Sequence, residues 1–163
     1  MMTVLEFVEE YKKAFDDAER EKLVESILKD ERYVPISTKN AVAAQIIGTC
    51  YKDKSGNVMP NSVALYVSYV ESVLQLYTTL SLDLKNPSKD YDTLQEYQIV
   101  DAIFSSIGQE LREFKVVFDM CRDDYEKMHY SLRGVVQWLI GLMIDGVEKV
   151  YKRAEEFLNE IEE

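Results

Sequence analysis

Glu126 and His129, three positions apart, are the nearest thing in this chain to a metal-ligand pair. On a helix, Glu-x-x-His puts both groups on one side, as in di-iron carboxylate bundles, which use the motif twice and add two further glutamates. His129 is the sole histidine, so that set is incomplete, and a surface pair near a helix end is expected. Asp119, Arg122, Asp123 and Asp124 stand just before it. Asp119 and Asp123, four apart, share a helix face and would grip a hard cation only with help, and neither an EF-hand spacing nor a glycine turn supplies any. A solvated face near Arg122 and Lys127 is expected there instead.

Nucleophilic catalysis usually asks for a serine or cysteine beside a histidine base. A single histidine leaves one such base, and no Gly-x-Ser-x-Gly elbow occurs. The glycines, Gly48, Gly56, Gly108, Gly134, Gly141 and Gly146, form neither a P-loop nor a Rossmann fingerprint. Cys50 and Cys121 lie in no CxxC pattern and are too few for a zinc site or a disulfide framework. Ile46 and Ile47 neighbour the first, and Val117, Phe118 and Met120 the second, so both are expected to be buried thiols. The residues therefore predict no catalytic site, no cofactor and no metal.

The elements that carry these residues read as helices. Thr3 with Glu6 fits a capping box, and Leu5, Val8, Tyr11 and Phe15 follow at helical spacing. A short helix is expected over residues 18–29 before Pro35 breaks the chain, then another from Ser37 or Thr38 to Cys50. Asp53 to Asn57 is a turn-forming cluster, and its flanks predict either a short hairpin at residues 49–59 or an irregular loop. Residues 62–80 hold one charge, Glu71, and an apolar surface nearly all round, which predicts the central helix of the fold. Its Tyr66, Tyr69 and Tyr77 are expected to line the core with their hydroxyls on polar partners. Residues 81–92 read as a connection, Asp92 as the cap of the next helix, and Gly108 as its left-handed stop. A helix is expected over residues 109–127. Ser131 opens the last and longest one, which reaches residue 161, about 45 Å at 1.5 Å per residue. That exceeds the roughly 30 Å of a core of this mass, so one end is expected to project.

The chain has 163 residues, 47% of them hydrophobic, with 30 acidic and 19 basic side chains and a formal charge of -11. That length suits one domain that buries enough surface to fold without disulfides. Such acidity repels phosphate backbones and attracts basic protein surfaces, so direct nucleic-acid binding is disfavoured. The first residues show no basic start before an apolar stretch, which predicts no signal peptide. The longest apolar run, residues 135–144, is interrupted by Gln137 and Gly141 and falls well short of the ~20 residues of a membrane span. The expectation is a soluble protein of a reducing cytoplasm.

Several strings occur together in order. They are residues 3–13 (TVLEFVEEYKK), Tyr33-Val34-Pro35, Asn61-Ser62 leading to Tyr66-Val67, and Glu113-Phe114 followed by Val117, Asp119, Met120 and Asp123-Asp124. The set resembles small helical proteins encoded by tailed bacteriophages and prophages of Gram-positive hosts, near their structural genes. The likeness covers about residues 3–135 and contains no catalytic motif, so it implies a phage context and no mechanism.

The fold expected is all-α: one compact domain over residues 1–163, with six or seven helices and a long C-terminal helix at 131–161. The function expected is that of a non-enzymatic phage structural or assembly protein acting through protein–protein contact, in the virion or the bacterial host cytoplasm. The alternative is an acidic phage-encoded inhibitor of a host defence nuclease, mimicking nucleic acid. Trp138, with Gly134 and Gly141 seven apart on one helix face, and Val150, Phe157 and Ile161 further along the stripe, form the expected interface. A homo-oligomer seam and ordinary core packing both fit these residues.

Overall fold

Thr3 and Glu6 start the fold as a reciprocal cap. The Thr3 N–H donates to Glu6 Oε2 at 2.8 Å, and the Glu6 N–H donates to Thr3 Oγ1 at 3.3 Å. Helix α1, Val4–Lys13, follows and buries Val4, Phe7 and Val8, with Lys12 and Lys13 in its last turn, where the helix dipole favours cations. Asp16 caps α2, Asp17–Ile27, by accepting the Glu19 N–H at 2.8 Å. The structure, a computed structural model, describes residues 2–51, 60–83, 86–130, 136, 139–141, 143–144 and 146–152. The chain divides into two units, residues 1–122 and 123–163.

Pro35 takes the cap position of α3, Ile36–Cys50, its carbonyl accepting the N–H groups of both Thr38 and Lys39 at 3.0 Å. The helix buries Lys39, Ala43, Ile46, Ile47 and Cys50 on one stripe. Thr49 and Cys50 belong to α3 and Tyr51 follows in a turn, so a hairpin over residues 49–59 loses its first flank. The rest of that segment, 52–59, lies outside the described residues. Asn61 accepts the Ala64 N–H at 3.0 Å and opens α4, Ser62–Tyr77.

Helix α4 buries Val67, Val70, Val73, Leu74 and Tyr77 and packs against α3 and α5. Its start is open, with Val63 75% and Tyr66 50% exposed, and Gln75 is exposed near its other end, so the helix is buried along one side and not all round. It also stops three residues before the expected Leu80. The Thr78 hydroxyl donates back to the Leu74 carbonyl at 2.7 Å, and the backbone beyond turns extended. There the Lys29 N–H donates to Tyr77 O at 2.9 Å, Thr79 N–H to Ile27 O at 2.8 Å, and Ser81 N–H to Met2 O at 2.9 Å. Two isolated bridges result, Leu28 with Thr78 and Thr3 with Ser81. A hydrogen-bonded neighbour overrides the apolar pattern that would have continued the helix.

One helix was expected around residues 92–107, but two short ones occur. Helix α5 is Pro87–Gln95 and α6 is Ile99–Ile107. Proline at the first helical position is preorganised for a helix and lacks the N–H that would be orphaned there, so α5 starts at Pro87 and Asp92 lies inside it. The break falls at Gln98, a non-glycine residue in the left-handed region with φ 57° and ψ 23°. Gly108, φ 60°, ends α6 as expected, and α7, Gln109–Tyr130, begins in the first unit and ends in the second. Ser131, the expected start of the last helix, lies outside the described residues. The described residues among 136–152 are helical. The all-α class holds, with seven helices bounded among the described residues.

In the first unit, Phe7, Ile47, Leu74, Tyr77, Leu94, Ile99, Ile103 and Phe114 are among the largest side chains wholly removed from solvent. Tyr69 lies parallel to Phe114 at 5.3 Å between centroids and meets Phe118 edge-on at 5.0 Å, joining α4 to α7. Tyr66, expected in the core, instead faces Tyr91 edge-on at 5.7 Å near the surface. Cys50 is buried, whereas Cys121 is half-buried with its thiol 3.2 Å from Asn40 Oδ1.

The main polar feature inside this unit was not anticipated. Lys39, 1% exposed, sets its ammonium 2.8 Å from Glu110 Oε2 and 3.1 Å from Glu113 Oε2, which ties α3 to α7. Glu110 Oε2 also accepts the Val34 N–H at 3.3 Å and the Tyr77 hydroxyl at 3.5 Å. Burial alone would lower the Lys39 pKa; the hydrogen bonds and attraction of Glu110 and Glu113 outweigh it and hold it above the ordinary value. The Lys39 hydrogen bond in turn holds Glu113 below the usual carboxylate range.

Replacing Lys39 by Ala strands two carboxylates, one of them largely buried, and should cost about 3–5 kcal/mol in denaturant unfolding. The triple change Lys39→Met, Glu110→Gln, Glu113→Gln removes the charges together and should recover most of that loss; equal instability of the two variants would refute the account. The pH dependence has two arms. The lowered Glu113 stabilises the fold above its unfolded value, and that contribution is lost as pH falls through its folded pKa. The raised Lys39 stabilises the fold below its unfolded value, and that contribution is lost as pH rises through its folded pKa. Burial pushes Tyr69 up to about 12 and raises Tyr77 too, so both phenols add to the alkaline loss. Thermal melts should therefore be highest between these limits, and the triple variant should lose the acid arm contributed by Glu113.

Candidate functional site

The residues singled out for metal chemistry turn to other neighbours. His129 Nδ1 lies 2.9 Å from the Tyr125 carbonyl one turn back, and its ring stacks on Tyr125 at 4.0 Å with 19° between planes. Asp119 pairs with Lys115 at 2.6 Å and with Arg122 at 3.5 Å, the solvated ion-paired face expected of it. No group of three or more histidine, cysteine or acidic side chains capable of holding a metal occurs among the described residues. Glu71, the one charge of α4, is half-buried, and burial with Asp90 nearby raises its pKa. The void beside it, lined by Leu74, Leu82 and Tyr91, measures about 10 Å³, room for about one water.

The large concave feature of the first unit is an open cleft of about 1210 Å³ with walls from α1, α2 and α6 and from the break between α5 and α6. Two cation–ring contacts mark it: Lys12 sits 4.6 Å over the Tyr97 ring and Arg20 5.7 Å over the Tyr11 ring. The Tyr97 hydroxyl, then Glu9, hold the Lys12 pKa above its ordinary value. Asp17, Glu21, Glu25, Glu96 and Asp101 also line the cleft, so its charge is mixed and no single ligand chemistry stands out. The strained Gln98 lies on its wall. At the α1–α2 corner Phe15 is 96% exposed, its N–H held by Glu19 Oε2 at 2.7 Å.

The second unit presents a different surface. Along the helical residues described there, Val136, Leu139, Ile140, Met143, Ile144, Val147, Val150 and Tyr151 are each between 45% and 74% exposed. Contiguous open apolar surface of this kind marks sites of association. Of the expected interface residues, Gly141 and Val150 are described and both lie on this exposed helix, where a Cβ built at Gly141 meets open space. Gly134, Trp138, Phe157 and Ile161 lie outside the described residues. No described helix is long and apolar enough to cross a membrane.

Sequence reasoning passed over both the cleft and the Lys39 pair. The signal for the pair was present: Lys39 shares a helical stripe with Ala43, Ile46 and Ile47, and Glu110 and Glu113 stand three apart. Comparison with known proteins finds no family, no curated protein and no solved structure that matches the chain.

Glycine adopts the left-handed region without penalty, whereas other L-residues lose about 1 kcal/mol or more there. Gln98→Gly should therefore keep or raise the melting temperature, and Gln98→Val should lower it. The reverse order would mean that the side chain, and not the backbone turn, is what the site requires.

Proposed function

We propose that the chain is a non-enzymatic phage protein that works by binding other proteins, as a structural or assembly component of the virion. The observation that carries this reading is the run of eight exposed apolar side chains between Val136 and Tyr151. A monomer with no partner seldom leaves so much contiguous apolar surface in water. The phage context rests on the resemblance of the strings between Thr3 and Asp124, and the site of action that follows is the virion or the cytoplasm of a bacterial host. Partners are other proteins, phage or host. The charge of -11 speaks against direct binding to nucleic acid.

A second reading has its own observation. All ten carboxylates within the first 31 residues are exposed, a surface suited to a basic channel of a host defence nuclease.

One infection experiment separates the readings. With a tagged chain expressed in infected cells, the first reading expects it to co-sediment with virions or assembly intermediates, and an Ile140→Glu, Val147→Glu variant to be lost from those fractions. The second expects inhibition of a host nuclease that weakens steeply with salt, since exposed charges are screened over ~8–10 Å at physiological strength. Absence from every particle fraction would sink the assembly role.

A further inference from the structure

The apolar face of the second unit carries a repeat that its exposure alone does not explain. Val136, Ile140, Met143, Val147 and Val150 are spaced by four, three, four and three residues along helical backbone, each exposed. In the sequence the alternation runs on without a break through Ala154, Phe157 and Ile161, eight apolar positions in 26 residues. Steps of four and three average 3.5 residues, the repeat that keeps a seam facing a partner helix as the two supercoil. A stripe lying on the side of a globular core follows 3.6 and slips out of a strict heptad within a few turns.

A helix that tracks this seam must carry the same repeat over a similar length, and a second copy of the chain does so by identity. The exposed area agrees. Leu139, Ile144 and Tyr151 flank the seam and are themselves open, so the eight side chains together offer surface on the order of the 800 Å² that each partner contributes to a stable interface. Glu148, Lys149 and Lys152 carry both signs and fall at positions that turn away from the seam, where charge is tolerated when helices pair. We infer that copies of this chain associate with one another through the Val136–Val150 seam. This inference rests on reading the exposed face as functional and names its first occupant.

The test uses the full chain. Light scattering coupled to size separation should give a multiple of 18.9 kDa, falling toward one copy on dilution. Ile140→Glu with Val147→Glu puts carboxylates into the seam and should weaken association about a hundredfold or more. Ile140→Ala with Val147→Ala should weaken it less, and Leu5→Glu, on α1, should leave it unchanged. Circular dichroism on each variant separates lost association from lost folding, and if the glutamate pair unfolds, the alanine pair and its dilution curve decide. A wild-type chain that stays a single copy at every concentration, its seam folded onto its own first unit or left open, would overturn the inference. So would a multimer indifferent to both seam variants. A single-copy chain that still co-sediments with phage particles would overturn self-association while leaving the proposed assembly role standing; one absent from particles as well would remove both.

Discussion

One buried ammonium organises the first unit. Lys39 lies on the inner stripe of α3 with 1% of its surface exposed, and an unpaired charge there would be expelled or neutralised. Glu110 and Glu113, one helical turn apart on α7, keep it charged and in place. Glu110 then collects the Val34 N–H ahead of α3 and the Tyr77 hydroxyl at the end of α4. Three helices and the approach to α3 thus meet at one carboxylate. The aromatic stack of Tyr69 on Phe114 and Phe118 joins α4 to α7 while the ion pair joins α3 to α7, so apolar packing and charge pairing each fix α7 against a different neighbour.

Where local chemistry decides, the sequence was legible. The capping box at Thr3 and Glu6, the Asn61-Ser62 start of α4 and the Gly108 stop all depend on residues within four positions of one another. Where a distant segment decides, it was not. Leu80 looks like the end of a helix until Ile27 and Met2 offer carbonyls to the backbone beyond Thr78. Asp92 looks like a cap until Pro87 claims the start of the helix. A glutamine in the left-handed region carries no sequence mark at all, since glycine or asparagine is what a reader expects there. The candidate surface divides the same way. The stripe through Val150 was visible in its spacing, but only the structure tells an exposed stripe from a buried one, as the contrast with α4 makes plain.

The side chains that the sequence singles out for chemistry have other neighbours in the structure. His129 is occupied by Tyr125, Asp119 by Lys115 and Arg122, and the raised Glu71 faces a void of about 10 Å³. The larger cleft between α1, α2 and α6 has rings already covered by their own lysine and arginine. Among the surfaces the described residues leave open are carboxylate on the first two helices and hydrocarbon on the last helical residues described. Those two surfaces differ in reach: charge guides approach over nanometres and weakens with salt, whereas hydrocarbon acts only at contact and holds.

The two isolated bridges bear on how the chain is born. Met2 and Ile27, at either end of the first two helices, give their carbonyls to Ser81 and Thr79, which the ribosome delivers some fifty to eighty residues later. Until then the nascent helices have capped ends and a bare apolar side, Val4, Phe7 and Val8 included, with nothing downstream to latch them. Helices α1 and α2 must therefore wait for the segments they pack against, and a pause in translation before Ser81 would leave that side to whatever chaperone stands at the exit tunnel.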